Sequence, residues 1–298
     1  MLHARKCVVV SDVDGQEVTC MLRGKLFEKM KGHTKPVAVG DRVGYTITDD
    51  TAALEEILPR KNSLTRPAIG RHEEIQTIAA NIDRMIIVAS IKDPPLKTGL
   101  IDRFLVAAAL EEIDPVLCLN KIDLLEDGSE ENRLLEETHA LYTNLGYEVY
   151  STSALDGSGV DALKRMLRQG TSLMVGHSGV GKSTLLNGID PALKLKTGSL
   201  SARQGKGKHT TTHVSLLSIA GGGFVVDTPG IREFGLFQIK PSDLGHFFPE
   251  IAGCLSECLY HDCTHRHEPD CAVLKARSQG RIHPDRYKSY LKLLEDLL

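Results

Sequence analysis

Two periods of apolar residues run along this chain. Up to about residue 65 they fall in short runs: Cys7–Val10, Glu17–Cys20, Val43–Ile47 and Leu54–Ile57. Turn residues such as Asp14-Gly15 and Val39-Gly40-Asp41 separate the runs. Short runs punctuated in this way predict the strands of a small all-β module. Arg60–Pro67 is polar and closes on a proline that holds its entry extended, which predicts a linker. Beyond it, strand-like and helix-like stretches alternate. Met85–Ser90 is a continuous apolar run suited to a strand buried on both faces. Leu100–Ile113 has helical spacing, Pro115–Leu119 reads as a strand, Asn132–Leu145 as a helix, Glu148–Tyr150 as a strand and Val160–Leu167 as a helix. This alternation predicts a doubly wound α/β sheet. The tail, Pro284–Leu298, repeats apolar residues at helical spacing through Tyr287, Tyr290, Leu291, Leu294 and Leu297.

Composition adds limits. A length of 298 residues suits two or three domains. With 41% hydrophobic and 25% charged residues, the chain has the profile of a soluble globular protein. A net charge of −3 leaves nucleic-acid binding unread from the total. Lys25, Lys29, Lys31, Lys35 and Arg42 nevertheless lie between or beside the first strands. A five-stranded OB-type barrel fits that module, either binding RNA or simply solvated, and only Phe27 and Tyr45 are there to stack on bases. No apolar run approaches a membrane span, and the start lacks the apolar core of a signal peptide. The seven cysteines read as reduced thiols or metal ligands, so a cytoplasmic protein is expected.

The chemistry centres on Gly176, His177, Ser178, Gly179, Val180, Gly181, Lys182, Ser183 and Thr184, a complete G-x-x-x-x-G-K-[ST] loop. Leu173–Val175 before it reads as a buried strand, and Ser183–Asn187 after it as the first turn of a helix. Glycines let backbone N–H groups turn inward around a polyphosphate, and the helix N-terminus adds partial positive charge. Lys182 is expected at the β- and γ-phosphates and Ser183 on a magnesium ion. Upstream, the strand at 115–119 runs into Asn120, Lys121, Ile122 and Asp123. Asp123 can accept from N1–H and the exocyclic amine of guanine, a donor pair that adenine lacks. Asn120 can reach N7 and tie neighbouring loops. The strand at 148–150 runs into Ser153 and Ala154, whose N–H can donate to guanine O6.

After the phosphate loop comes a Gly-rich basic stretch, Leu200–Thr212, expected as a mobile loop. Thr211 is favoured there as a second magnesium ligand that senses the γ-phosphate. Val214–Ile219 and Phe224–Val226 read as strands, the latter ending in Asp227-Thr-Pro-Gly230. Asp227 is expected to hold magnesium through a water, and the Gly230 N–H to meet the γ-phosphate. GTPases usually run phosphate loop, threonine switch, D-x-x-G, Asn-Lys-x-Asp, Ser-Ala. Here the last two come first, so the sequence is a circularly permuted GTPase. Ile231 stands where many GTPases place a water-orienting Gln. His209 is the nearest alternative for that catalytic role, although it could equally contact RNA or face solvent.

Past Gly235, cysteines and histidines crowd together. Cys258, Cys263, His265 and Cys271 would give a Cys₃His zinc site; Cys254 in place of His265 would give Cys₄. Spacing does not choose between them. Either set leaves no open position, which indicates a structural zinc.

A β-module, a permuted GTPase and a Cys-rich segment, in this order, resemble the ribosome small-subunit-dependent GTPase A family (RsgA, YjeQ or YloQ). The residues carrying the resemblance are Asn120–Asp123, Gly176–Thr184, Gly207–Thr212, Asp227–Ile231 and the Cys258 to Cys271 segment. The resemblance covers the chain end to end. It implies an OB-fold barrel over 1–65, a permuted P-loop α/β GTPase domain over 66–233 and a mostly helical zinc-binding domain over 234–298. It implies GTP or GDP and magnesium as ligands, with one zinc held by Cys258, Cys263, His265 and Cys271 and with Cys254 spare. It implies late maturation of the small (30S) ribosomal subunit, with contact to 16S rRNA and its proteins and GTP hydrolysis stimulated by the subunit, by a monomer with no membrane association. The family commonly has Gly where this chain has Asp270. A GTPase that regulates a protein partner is the competing reading, and salt-sensitive co-sedimentation with small subunits would separate the two.

Overall fold

The computed structural model describes residues 6–24, 26, 36–49, 51–68, 71–196, 214–227, 236 and 239–298, with backbone alone at 66–68, 71–75 and 227. His209, Thr211 and Gly230, expected in catalysis, lie outside the described residues. The chain divides into two compact units, one of residues 1–83, 167–173 and 208–231, the other of 84–166, 174–207 and 232–298.

In the first unit, β1 (Lys6–Val10), β2 (Glu17–Leu22), β3 (Val43–Thr48) and β4 (Thr51–Ile57) form a sheet in the order β1-β2-β4-β3. β1 and β2 pair antiparallel, whereas β2 and β4 run parallel. One face of this sheet is apolar: Cys7, Cys20, Leu22, Leu26, Val37, Ala52 and Leu54 form its core. Arg60 holds Asp41 in a two-pronged pair, Nε to Oδ1 at 2.7 Å and Nη2 to Oδ2 at 2.9 Å. The stretch expected to be a linker is instead β5 (Ser63–Ala68), paired antiparallel with β6 (Arg71–Ala80). Leu64 is buried, and Pro67 is tolerated because among the described residues the strand pairs on one side only and the register shifts beside it.

The α/β region follows the expected alternation. β7 (Arg84–Ser90), β8 (Asp114–Asn120), β9 (Glu148–Thr152), β10 (Thr171–Val175), β11 (Ser215–Ser218) and β12 (Phe224–Asp227) form one sheet in the order β11-β12-β10-β7-β8-β9. β7 pairs parallel with β8, and β8 with β9. The helices are α1 (Thr98–Leu110), α2 (Glu130–Asn144), α3 (Val160–Leu167) and α4 (Lys182–Ile189). Ser129 caps α2 by accepting from the Asn132 N–H, with Glu130 and Glu131 set against the helix dipole. Near the C-terminus lie a helical turn at Pro249–Ala252, α5 (Ala272–Ser278) and α6 (Pro284–Leu297), whose apolar stripe includes buried Tyr287, Tyr290, Leu293 and Leu294.

Candidate functional site

The phosphate loop leaves β10 at Gly176 and enters α4 at Lys182, the strand–loop–helix setting that the motif requires. Two of its glycines are obligatory on this backbone. Gly176 has φ +140°, and a Cβ there would lie 2.1 Å from the Val88 carbonyl oxygen. Gly181 has φ +98°, and a Cβ there would lie 2.4 Å from Asn120 Nδ2. The Lys182 ammonium folds into the loop, donating to the carbonyls of Gly176 at 2.8 Å and His177 at 3.0 Å. His177, Ser178, Gly179 and Thr184 are exposed, Ser183 is half-buried, and Val180 is buried against the sheet. Backbone N–H groups at a helix N-terminus, with an ammonium beside them, form an anion cradle.

The Asn-Lys-x-Asp residues close on this loop. Buried Asn120 donates from Nδ2 to the Val180 carbonyl at 2.8 Å and accepts from Thr152 Oγ1 at 3.0 Å. It therefore joins the ends of two strands to the phosphate loop. Lys121 sits at φ +68°, and Ile122 and Asp123 form the turn after it. Ser153 donates to Asp123 Oδ1 at 2.6 Å, fixing the carboxylate, and half-buried Ala154 follows in the turn after β9. Asp123→Asn exchanges an acceptor for a donor at the edge expected to meet guanine. Affinity should shift from GTP towards XTP by at least about tenfold, ~1.4 kcal/mol; competition binding with the two nucleotides checks it. Asp227 ends β12, with only its backbone described.

One contributor carries no motif. The loop between β7 and α1 touches both halves of the site. Its Asp93 carbonyl accepts from Lys121 Nζ at 2.5 Å, while Lys97 Nζ lies 3.5 Å from His177 Nε2. Leu100, Ile101 and Phe104 of α1 line a pocket together with Gly176, His177 and Val180. In sequence this loop carries only the turn-prone Asp93-Pro94-Pro95.

The other side of α1 holds a buried charge cluster. Asp102 is 0% exposed and Arg286, on α6, only 1%. Arg286 donates to Asp102 Oδ1 at 2.5 Å and, from two nitrogens, to both Glu250 oxygens at 2.6 and 3.1 Å. Tyr142 of α2 donates to Asp102 Oδ1 at 2.7 Å, and the guanidinium lies 4.6 Å from the Phe248 ring centre. Burial works against the Arg286 charge, but the facing carboxylates outweigh it and raise its pKa.

Cys258, Cys263, His265 and Cys271 form a second constellation, with donor atoms all within 4.8 Å of one another. His265 Nδ1 lies 3.6 Å from Cys258 Sγ and 3.5 Å from Cys271 Sγ. A tetrahedral zinc with ~2.3 Å Zn–S bonds separates its sulfurs by ~3.8 Å, so the set fits the ion. Burial pushes the Cys263 thiol up to about 12, with neighbouring sulfurs adding to the shift, so three thiolates here call for a compensating cation. Cys254 stands apart, its thiol directed at the Glu250 carbonyl. Glu268 braces the loop by accepting from the N–H groups of Thr264, Arg266 and His267 at 2.8, 2.9 and 3.1 Å. Tyr287 and Tyr290 of α6 donate to the carbonyls of His265 and Thr264 at 2.7 and 3.1 Å. Asp270 has φ +55°, a left-handed conformation that suits glycine better than aspartate. Asp270→Gly should leave stability unchanged or raise it by about 0.5 kcal/mol, whereas Asp270→Val should cost about 1–2 kcal/mol; urea denaturation of the metal-loaded chain measures both.

The RsgA GTPase family model matches residues 57–237. The chain belongs to this family. It is 43% identical over 284 residues to the Small ribosomal subunit biogenesis GTPase RsgA 2 of Bacteroides thetaiotaomicron, covering 95% of this chain and 91% of that relative. It is 38% identical over 290 residues to the Small ribosomal subunit biogenesis GTPase RsgA of Flavobacterium johnsoniae, covering 96% and 89%. The crystal structure of YjeQ from Thermotoga maritima superposes with a TM-score of 0.81 at 36% identity, over 99% of this chain and 95% of that one. That of YloQ, described as a circularly permuted GTPase, superposes with a TM-score of 0.75 at 32% identity, over 100% and 92%. Like its RsgA relatives, the chain is a GTP hydrolase built on the permuted fold: an N-terminal OB-type β-module, the α/β GTPase core and a C-terminal helical segment with a Cys₃His cluster. Among the described residues, no helix is long and apolar enough to cross a membrane.

Proposed function

We propose that this chain is a cytoplasmic, monomeric GTPase acting in late maturation of the small ribosomal subunit, where it binds rRNA and hydrolyses GTP under stimulation by the subunit. The observation that carries the nucleotide reading is the 2.8 Å bond from Asn120 to the Val180 carbonyl, which joins a guanine-selective turn to a phosphate cradle. The subunit as target rests on the names of the relatives in Bacteroides and Flavobacterium. In this reading residues 1–65 bind RNA, 66–233 turn over GTP and 234–298 form a zinc-held docking module.

Gly176 to Thr184 wrap the phosphates, with Lys182 exchanging its loop carbonyls for β- and γ-phosphate oxygens. Ser183, Thr211 and Asp227 would hold magnesium, which would neutralise charge on the phosphates. The Gly230 N–H meets the γ-phosphate, and His209 orients the attacking water. Asn120, Lys121, Ile122, Asp123, Ser153 and Ala154 frame guanine. Cys258, Cys263, His265 and Cys271 would hold one zinc, which would supply a rigid cross-link with no open position for chemistry. GTP turnover with and without purified small subunits tests the proposal. A rise of about tenfold or more with subunits, lost in Lys182→Ala, is expected. Turnover indifferent to subunits would remove the target while leaving the GTPase.

A further inference from the structure

Cys7 and Cys20 belong to neither the nucleotide residues nor the metal cluster. They are direct cross-strand partners in the antiparallel pair of β1 and β2, flanked by the pairs Lys6↔Met21 and Val8↔Thr19. Residues opposite one another in an antiparallel ladder project from the same face. Here that face is the interior: Cys7 is 7% exposed and Cys20 0%, while Lys6, Val8, Thr19 and Met21 are all exposed. Both thiols sit in the same apolar cluster, with Leu22, Leu26 and Leu54. Directly opposed residues have Cα atoms about 4.5 or 5.5 Å apart, depending on the type of pair. Both spacings fall inside the ~4.4–6.8 Å window of disulfides. Cys118 lies beside Thr152 and Cys254 against a backbone carbonyl, so neither has a thiol partner of this kind.

We propose that Cys7 and Cys20 are a reversible disulfide site, oxidised by a small hydroperoxide, that fastens β1 to the β-domain sheet. One thiol sulfur attacks the peroxide, breaking its O–O bond to give a sulfenic acid and one water. The second sulfur displaces hydroxide from that sulfenic sulfur, forming the S–S bond and a second water. Two thiols and one hydrogen peroxide thus give one disulfide and two waters; a dithiol reverses the change. The location gives the bond a mechanical role. Among the described residues β1 is the outer strand of its sheet, paired with β2 alone, so a cross-link limits its fraying. The enclosed position makes the reaction slow at neutral pH, because the thiolate is the nucleophile and burial pushes Cys7 up to about 11. The rate should rise about tenfold per pH unit between 7 and 9, as the thiolate fraction does.

The test uses the full-length, zinc-loaded chain treated with excess hydrogen peroxide, then alkylated and digested without reductant. A peptide pair joined through Cys7 and Cys20 is expected, reverting to two free peptides with dithiothreitol. Amide exchange at Val8 and Val9 should slow at least tenfold in the oxidised form. In Cys20→Ser, Cys7 should stop at the sulfenic acid and be captured by dimedone, which wild type should not show. Recovery of Cys7 and Cys20 as free thiols, or as separate sulfinic acids, after prolonged peroxide treatment would overturn the proposal. Disulfide formed without any change in exchange at β1 would overturn the fastening role.

Discussion

Cys263→Ser should release the metal and unfold the segment from the helical turn at 249 to the last helix. Structural zinc contributes ~10–16 kcal/mol of apparent folding free energy in small metal modules, because the ligands are not assembled in the unfolded chain. The metal-binding loop itself has little else to organise it locally. Between Cys258 and Ala272 there is no helix or strand, and the loop is shaped by Glu268 and by two tyrosine hydroxyls reaching in from α6. With one thiolate gone, the remaining sulfurs and the buried imidazole lose the cation that offsets their proximity. Metal analysis should fall from one zinc per chain to near zero, and near-ultraviolet dichroism from Tyr287 and Tyr290 should collapse. Cys254→Ser is the control: its thiol points away from the cluster, so zinc should be retained. Full zinc content in Cys263→Ser would show that a different set of ligands holds the ion.

Arg286→Ala should destabilise the chain by about 3–5 kcal/mol, the cost of leaving buried carboxylates without their cation. Asp102 is fully buried, and burial pushes its carboxyl upward. Removing the guanidinium strands Asp102 and Glu250 together. The size of the effect reports that stranding rather than the worth of the ion pair. Neutralising the acids as well, in Asp102→Asn/Glu250→Gln/Arg286→Met, should therefore recover most of the loss. Chemical denaturation of the single and triple variants decides it. A single variant within about 1 kcal/mol of wild type would mean that water reaches the cluster.

The two halves of the nucleotide site were legible because each is a local pattern: a strand, a turn of fixed spacing and a helix start. Their union was expected as well, because Asn120 reads as a side chain able to tie neighbouring loops; it reaches the phosphate loop past β7, which lies between β8 and β10. The buried cluster was not. Asp102 reads as one polar residue on a helix whose apolar face is already accounted for, and its partner lies 184 residues away. The β5–β6 hairpin escaped for a different reason. Arg71–Ile75 carries almost no apolar alternation, so backbone pairing makes the strand, and Pro67 suggested a break where the ladder tolerates one. Asp270 stands out only once its backbone is seen to be left-handed; the family's usual glycine already hinted at it. The loop at Asp93 to Lys97 contributes through a main-chain carbonyl and one long side chain, neither of which leaves a spacing signature.

The distance between Asp102 and Arg286 also sets a clock. On a ribosome adding about 5–20 residues each second, some 10–40 s separate synthesis of the acid from that of its partner. During that interval β7, α1, β8 and the phosphate loop all exist, yet α1 carries an ionisable group with nothing to neutralise it. The nucleotide-binding half of the molecule thus stays incomplete until nearly the last helix has been made. A nascent or truncated chain lacking that helix leaves Asp102 without its cation, so its α1 region should pack less stably than in the whole chain.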